Sequence, residues 1–83
     1  MNNEFKVKLI TVGDVILMVE TASSCPKGID IEAVHGRHVV DAKSLMGVMS
    51  LNLSVPITIR ICGTSNEEET KCIAEKFAQW RAD

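Results

Sequence analysis

The chain has 83 residues, of which 46% are hydrophobic and 24% are charged, and its formal net charge is −2. These values are typical of one small globular domain spanning residues 1–83, with a modest core, and they argue against a disordered chain. The slightly acidic balance and the scarcity of aromatic side chains also argue against nucleic-acid binding, which needs a basic stripe or stacking platforms.

No apolar run approaches the roughly 20 residues that a membrane-spanning helix needs. The opening Met-Asn-Asn-Glu-Phe-Lys lacks the basic-then-apolar pattern of a signal peptide, so we expect a cytoplasmic protein. Three cysteines without a Cys-x-x-Cys pair favour small buried thiols over disulfides or zinc. Together with the two histidines they form no credible metal set, so we expect no metal and no cofactor; the residues concerned are Cys25, Cys62, Cys72, His35 and His38.

Alternation of apolar and charged residues predicts a first strand over residues 5–10. Asp14 is a plausible N-cap for a helix that runs from residue 15 to about residue 23. Its core-facing stripe has helical spacing and consists of Val15, Met18, Val19 and Ala22. Ile16 and Leu17 lie off this stripe, which is compatible either with a docking surface or with a first turn that is buried all round.

A second strand is predicted over residues 29–33 and a returning strand over residues 38–42, with a hairpin turn at Gly36 between them. Pro56 precedes another alternating strand, which ends at Cys62. Ser65 or Asn66 can cap the last helix, whose apolar stripe is Ile73, Phe77 and Trp80. The order β-α-β-β-α-β-α predicts an α+β fold in which helices cover one face of an antiparallel sheet.

The most distinctive segment covers residues 40–51, where a strand leads into a short helix rich in methionine. Ser44 stands at the helix start, where its oxygen can accept a backbone hydrogen bond and where a phosphate would also be favoured. Val48 and Leu51 are the better core candidates. The segment is therefore either a capped core helix or a switch beside an apolar docking patch formed by Leu45, Met46 and Met49.

The element order and the run KSLMGVMSL at residues 43–51 resemble HPr, the histidine-containing phosphocarrier family of the bacterial sugar phosphotransferase system. The run VETAS at residues 19–23 is similar to the first helix of that family, and Gly36 falls in its hairpin turn. The resemblance implies an open-faced sandwich with a four-stranded antiparallel sheet and three helices on one face.

The resemblance also shows a departure, because the family carries phosphate on a histidine in a Gly-x-His-x-Arg-Pro segment at the start of the first helix. Thr11 stands at the position of this histidine, and neither His35 nor His38 can replace it from the hairpin. A threonine hydroxyl is not nucleophilic at its free pKa without an adjacent base, so we expect no phosphocarrier activity and no catalytic residue. Phosphotransfer through Thr11 or Asp14 is the weakest alternative.

By resemblance, the expected function is that of a regulatory binding protein rather than an enzyme, with Ser44 phosphorylated by the bifunctional HPr kinase/phosphorylase for carbon catabolite regulation. The implied partners are this kinase and a catabolite-control transcription factor, with no direct contact to nucleic acid. The residues expected to contact them are Lys43, Leu45, Met46, Met49, Ile16 and Leu17. Lys43 either helps to hold the phosphate or is a solvated lysine. The alternative is a diverged HPr-fold module that binds an unrelated protein without phosphorylation. The pattern does not predict an oligomeric state.

Overall fold

The computed structural model describes residues 3–82. This part of the chain contains four strands and three α-helices in the predicted order. Their bounds are β1 Glu4–Val7, α1 Val12–Ser23, β2 Asp30–His35, β3 His38–Asp41, α2 Leu45–Met49, β4 Ile57–Cys62 and α3 Glu67–Glu75. A 3₁₀ turn at Ala78–Trp80 follows α3.

The four strands form one antiparallel sheet in the order β1-β4-β2-β3. A two-residue turn joins β2 to β3, and Gly36 takes a φ of 60° there, in the left-handed region that favours glycine. The three helices pack on one face, so the predicted α+β open-faced sandwich is confirmed. The opposite face, which we call the open face, carries the alternate polar side chains of the strands.

The core lies between the sheet and the helices and is built mainly from aliphatic side chains. Alternate residues of β4 and the predicted stripe of α1 supply much of it: Ile57, Ile59, Ile61, Val15, Met18, Val19 and Ala22. Phe77 stacks at a tilt between Phe5 and Trp80, with ring centroids 5.9 and 6.2 Å away. Such tilted pairs contribute beyond the area they bury.

The first strand is shorter than predicted and ends at Val7 rather than at residue 10. Val7 lies opposite Ile57 in β4, so the next residue of β1 would lie opposite Pro56. β4 begins at Ile57, so the pairing of the two strands stops at this point, although Leu9 is still buried beyond it.

The last helix also ends earlier than its apolar stripe, at Glu75. Phe77 and Trp80 are buried as predicted, but they lie in the tighter turns that follow. These turns bring residues 80–82 against the outer edge of β1. There the Lys8 amide donates to the Trp80 carbonyl at 2.8 Å, and the Ala82 amide donates to the Lys6 carbonyl at 3.0 Å.

Candidate functional site

The start of α1 is closed by reciprocal hydrogen bonds between Thr11 and Asp14. The Asp14 amide donates to Thr11 Oγ1 at 3.1 Å, and the Thr11 amide donates to Asp14 Oδ2 at 3.1 Å. The same carboxylate oxygen accepts from the Ile10 amide at 3.0 Å. This arrangement is a capping box with Thr11 as the N-cap. The prediction that Asp14 is the N-cap is therefore wrong, because the Thr11 hydroxyl takes this role and the helix begins at Val12.

Backbone donors lower the pKa of Asp14 below its ordinary value, the Thr11 amide most and the Ile10 amide next. Within residues 3–82, the buried indole N–H of Trp80 makes no hydrogen bond of good geometry, yet it lies near enough to lower this pKa further. Asp14 is therefore ionised at neutral pH. Its carboxylate accepts hydrogen bonds from the Ile10 and Thr11 amides. These two amides are therefore not available to bind an external anion at the helix start.

The surroundings of Thr11 provide no general base for its hydroxyl among the residues described. Thr11 Oγ1 accepts the Asp14 amide, while the Asp14 carboxylate is held by the Thr11 and Ile10 amides. The two histidines form the closing pair of the β2–β3 hairpin, His35 opposite His38. They therefore belong to a different element from the start of α1.

Ser44 is the N-cap of α2, as predicted, and it is exposed. Its backbone is extended, and its Oγ accepts from the Gly47 amide at 3.1 Å. A Cβ at Gly47 would lie 3.2 Å from Ser44 Oγ and 3.3 Å from Val40 Cβ. Glycine thus lets α2 pack closely against β3 while leaving room for the Ser44 hydroxyl.

Lys43 is half-buried, and its ammonium reaches across to another element. Lys43 Nζ donates to the Ile29 carbonyl at 2.8 Å, and its amide donates to Asp41 Oδ1 at 2.9 Å. It is not the freely solvated lysine that was one of the two expectations. Contact between Lys43 and a phosphate on Ser44, or between Lys43 and a partner protein, stays a prediction.

The helices α1 and α2 contact each other and leave apolar side chains in solvent. Met46 is 84% exposed, Met49 51% and Leu45 40%. Ile16 and Leu17 on α1 are 42% and 50% exposed, so the first turn of α1 is not buried all round. Val48 and Leu51 are buried, as expected of core residues. The exposed apolar residues of the two helices form a surface that we call the apolar patch: Ile16, Leu17, Leu45, Met46 and Met49.

Sequence reasoning missed the part of this surface that lies beside the capping box. Ile10 is 79% exposed and Val12 61%. Together with Met49 and Leu53 they line a shallow groove of about 340 Å³ between the β1–α1 loop and the segment after α2. Ile10 lies in a loop and Val12 is the first residue of α1, so neither belongs to the periodic apolar stripe, and the available signal was two large apolar residues flanking a threonine.

The cysteines are free and differ in environment. Cys25 is buried, and burial raises the pKa of its thiol, whereas Cys72 is exposed on α3. The interpretation of all three as buried thiols is therefore correct for Cys25 only, because Cys62 is half-buried and Cys72 points away from the stripe that packs on the sheet. No group of three or more potential metal ligands occurs among the described residues.

A protein-family model described as the PTS HPr component phosphorylation site matches residues 15–79, which is most of the chain. The chain belongs to the HPr family. The matched segment contains Ser44 and all of α2, and it begins just after the capping box of Thr11 and Asp14.

Two solved structures share the fold of this HPr-family chain. HPr-C-His from Thermoanaerobacter tengcongensis is 25% identical with a TM-score of 0.66, and the match covers 95% of this chain and 93% of that one. The phosphocarrier protein HPr from Bacillus anthracis str. Ames is 26% identical with a TM-score of 0.60, covering 89% and 94%. No curated protein matches the sequence. Within residues 3–82, none of the helices has the length and apolar character required to cross a bilayer.

Proposed function

We propose that this HPr-family chain is a cytoplasmic regulatory binding protein without phosphocarrier activity, and that phosphorylation of Ser44 switches its surface for carbon catabolite regulation. The observation that carries the proposal is the position of an exposed Ser44 beside the apolar patch, combined with the self-capped start of α1. The phosphorylating enzyme is the HPr kinase/phosphorylase, and the regulated partner is a catabolite-control transcription factor.

The geometry of Ser44 supports this role. A phosphate there adds roughly −1.5 to −2 charges at the positive end of a helix, where negative charge is favoured. Its oxygens can accept the Gly47 amide that the hydroxyl now accepts at 3.1 Å. The modification therefore leaves α2 capped. It changes the charge beside Leu45 and Met46, which are exposed and adaptable contact residues.

The start of α1 supports the loss of phosphocarrier activity. A neutral imidazole nitrogen is nucleophilic near neutral pH, whereas a threonine hydroxyl requires a base. Thr11 is the N-cap, and the Asp14 carboxylate already accepts two backbone amides. An incoming phosphoryl group would also meet the negative charge of Asp14.

The direct test is incubation with the HPr kinase/phosphorylase and ATP, followed by mapping of the modified residue by mass spectrometry. We expect one phosphate on Ser44 and none on the Ser44→Ala variant. Ser50→Ala is the matched control, because Ser50 lies at the other end of α2 and should leave labelling intact. An unmodified Ser44 would contradict the switch.

A second experiment addresses the phosphocarrier reaction separately. The chain is incubated with labelled phosphoenolpyruvate and the general phosphotransferase enzyme, with a histidine-containing HPr as the positive control. We expect no label on the chain under conditions that label the control. Label on Thr11 or Asp14 would overturn this part of the proposal and leave the Ser44 proposal standing.

The groove beside Ile10 and Val12 favours a second candidate, a diverged HPr-fold module with an unrelated protein partner and no phosphorylation. An affinity experiment distinguishes the two functions. Recovery of the kinase or of a transcriptional regulator supports the first. Repeated recovery of a third protein, lost in an Ile10→Ser variant, supports the second.

A further inference from the structure

The two edge strands of the sheet differ in whether their outer backbone groups are paired. The outer edge of β1 is paired with residues 80–82 through the Val7–Arg81 bridge and two flanking hydrogen bonds. No segment of the described chain pairs with the outer edge of β3. An open strand edge is a template for pairing with another strand.

The register of β3 shows which of its backbone groups face outward. His35 and His38 close the two-residue turn and are therefore a hydrogen-bonded pair, and the Ala42 amide donates to the Ile31 carbonyl at 2.8 Å. Hydrogen-bonded and non-hydrogen-bonded pairs alternate in an antiparallel ladder. Val39 is opposite Val34 in a non-hydrogen-bonded pair, so its amide and carbonyl point away from β2. Its side chain is 51% exposed on the open face.

The charges on the open face are unbalanced at this edge. Glu4, Arg60, Glu32 and Asp41 lie opposite one another across the four strands. Arg60 pairs with Glu4 and with Glu32 at 2.9 Å each. Asp41 therefore has the carboxylate of Glu32 on the side of β2 and no cation opposite it on the outer side, although its Oδ1 accepts the Lys43 amide. Like charges directly opposite in a sheet are destabilising.

A cation suited to this position lies on the same edge of the molecule. Arg37 is the second residue of the hairpin turn, is exposed, and has no ion pair or hydrogen bond of its side chain among residues 3–82. Val39 and Asp41 are two residues apart in β3, so they lie on one face of the strand, and Arg37 immediately precedes β3 in the turn. The edge thus carries a positive group, an exposed valine and a negative group in sequence.

We propose that two copies of this chain associate through the outer edges of β3, antiparallel about a two-fold axis at Val39. In this register Val39 exchanges both backbone hydrogen bonds with Val39 of the partner subunit. Arg37 then lies opposite Asp41 of the partner subunit, and symmetry repeats this pair on the other side. The two sheets join into one of eight strands, and each Asp41 gains a cation opposite it on its outer side.

The charges select both this register and this occupant. A two-fold axis one residue further along, at Val40, would place Arg37 opposite a like-charged lysine, Lys43 of the partner subunit. An arbitrary strand would lack the matching pair of charges, whereas a second copy supplies both. The contact is only about four residues long on each side, so the dissociation constant is expected on the order of 0.1–1 mM.

The first measurement is the oligomeric state of the intact chain by sedimentation equilibrium and by ¹⁵N NMR dilution. We expect dimer to form as concentration approaches about 1 mM, with concentration-dependent shifts at the amides of Arg37, Val39 and Asp41. Val39→Pro removes the outward donor without removing a bond to β2, and it should abolish dimer formation. A chain that stays monomeric at about 2 mM overturns the proposal, as does a dimer whose shifts lie elsewhere.

The second measurement uses charge reversal and identifies the occupant. Arg37→Asp and Asp41→Arg each create two like-charge pairs in the homodimer and should weaken it about tenfold or more. An equimolar mixture of the two variants restores both attractive pairs, so labelled Arg37→Asp titrated with unlabelled Asp41→Arg should associate at least as tightly as wild type.

Lys27→Asp is the matched control, because it makes the same change in net charge in an exposed turn before β2. It should leave dimer formation unchanged. Circular dichroism confirms that each variant is folded. If the mixture of the two variants associates no more tightly than either variant alone, the proposed register is overturned. If Lys27→Asp weakens the dimer as much as Arg37→Asp does, the effect comes from net charge alone, and the proposed register is also overturned.

Discussion

The Gly47 amide donates to the Ser44 hydroxyl oxygen at 3.1 Å, so the candidate phosphorylation site is also the cap of α2. The same two residues are close through their side-chain positions, since a Cβ on Gly47 would lie 3.2 Å from Ser44 Oγ. The hydrogen bond predicts the effect of replacing Ser44, and the close approach predicts the effect of replacing Gly47.

Replacing Ser44 by alanine should destabilise the protein by about 1 kcal/mol, because the Gly47 amide loses its side-chain acceptor. Ser44→Asp should retain most of the stability, since a carboxylate oxygen also accepts at an N-cap. Urea unfolding monitored by circular dichroism measures both changes. Ser23→Ala, an exposed serine at the end of α1, is the control and should change stability by less than about 0.5 kcal/mol. Equal stabilities of Ser44→Ala and wild type would contradict the capping role.

Gly47→Ala should gain less stability than its helix propensity of up to about 1 kcal/mol would give. The new methyl group presses on Ser44 Oγ and on the Val40 side chain. In a Ser44→Ala background the contact with Oγ is gone, so the same substitution should be more favourable there by about 0.5–1 kcal/mol. A double-mutant cycle of unfolding free energies measures this coupling. Strict additivity would show that the hydroxyl and the methyl group do not compete for space.

Met46→Asp should leave folding nearly unchanged, within about 0.5 kcal/mol, because the side chain is 84% exposed. It should nevertheless lower kcat/KM for Ser44 phosphorylation about tenfold or more, since the kinase must contact the residues beside its target. Val39→Asp is the control, an exposed apolar residue on the open face. Leu51→Ala, by contrast, should cost about 2–5 kcal/mol without touching the patch. Equal effects of Met46→Asp and Val39→Asp on phosphorylation would exclude a specific role of the patch.

The lowered pKa of Asp14 predicts a definite pH dependence of stability. Because the folded pKa lies below the unfolded value of about 3.9, the carboxylate stabilises the fold at pH values above that value. This contribution is lost as pH falls through the lower, folded pKa. The difference in unfolding free energy between wild type and Asp14→Asn should therefore be constant from pH 7 to about 5 and shrink below about 4. Urea unfolding at a series of pH values measures it, and a difference that grows in acid would contradict the lowered pKa.

The strands of the sheet centre could be predicted from sequence because alternation reports directly on a sheet with one buried face. Ile57, Ile59 and Ile61 therefore located both β4 and its inner face. The end of β1 could not be found this way. It lies where β4 begins at Ile57, and this depends on a register that the sequence does not contain.

The start of α1 shows a different limit. Threonine and aspartate are both good N-cap residues, and the apolar stripe begins only at Val15. The structure uses both, one as the cap and one as its reciprocal partner, so the helix gains a turn that periodicity does not predict. That turn exposes Val12 beside Ile10, which is why the groove at this end of the candidate site was missed.

The prediction of Ser44 as an N-cap succeeded because capping is local and needs only a hydroxyl one residue before the helix. The exposure of Met46 and Met49 followed less directly. A five-residue helix has one buried position, Val48, so its remaining apolar side chains have no core to enter. The assignment of partners to these side chains comes from family resemblance and stays a proposal.

Residues 80–82 have a consequence for the stoichiometry of any edge-to-edge association. A sheet whose two edge strands are both unpaired can add further copies indefinitely and grow into a fibre. Here residues 80–82 pair with the outer edge of β1 through hydrogen bonds to the Trp80 and Lys6 carbonyls. The Arg81 guanidinium also lies 4.6 Å from the centre of the Phe5 ring. Among the described residues this leaves one unpaired sheet edge per molecule, the outer edge of β3. The proposed association by strand addition therefore stops at two copies. Residues 80–82 thus make the proposed edge-to-edge contact self-limiting.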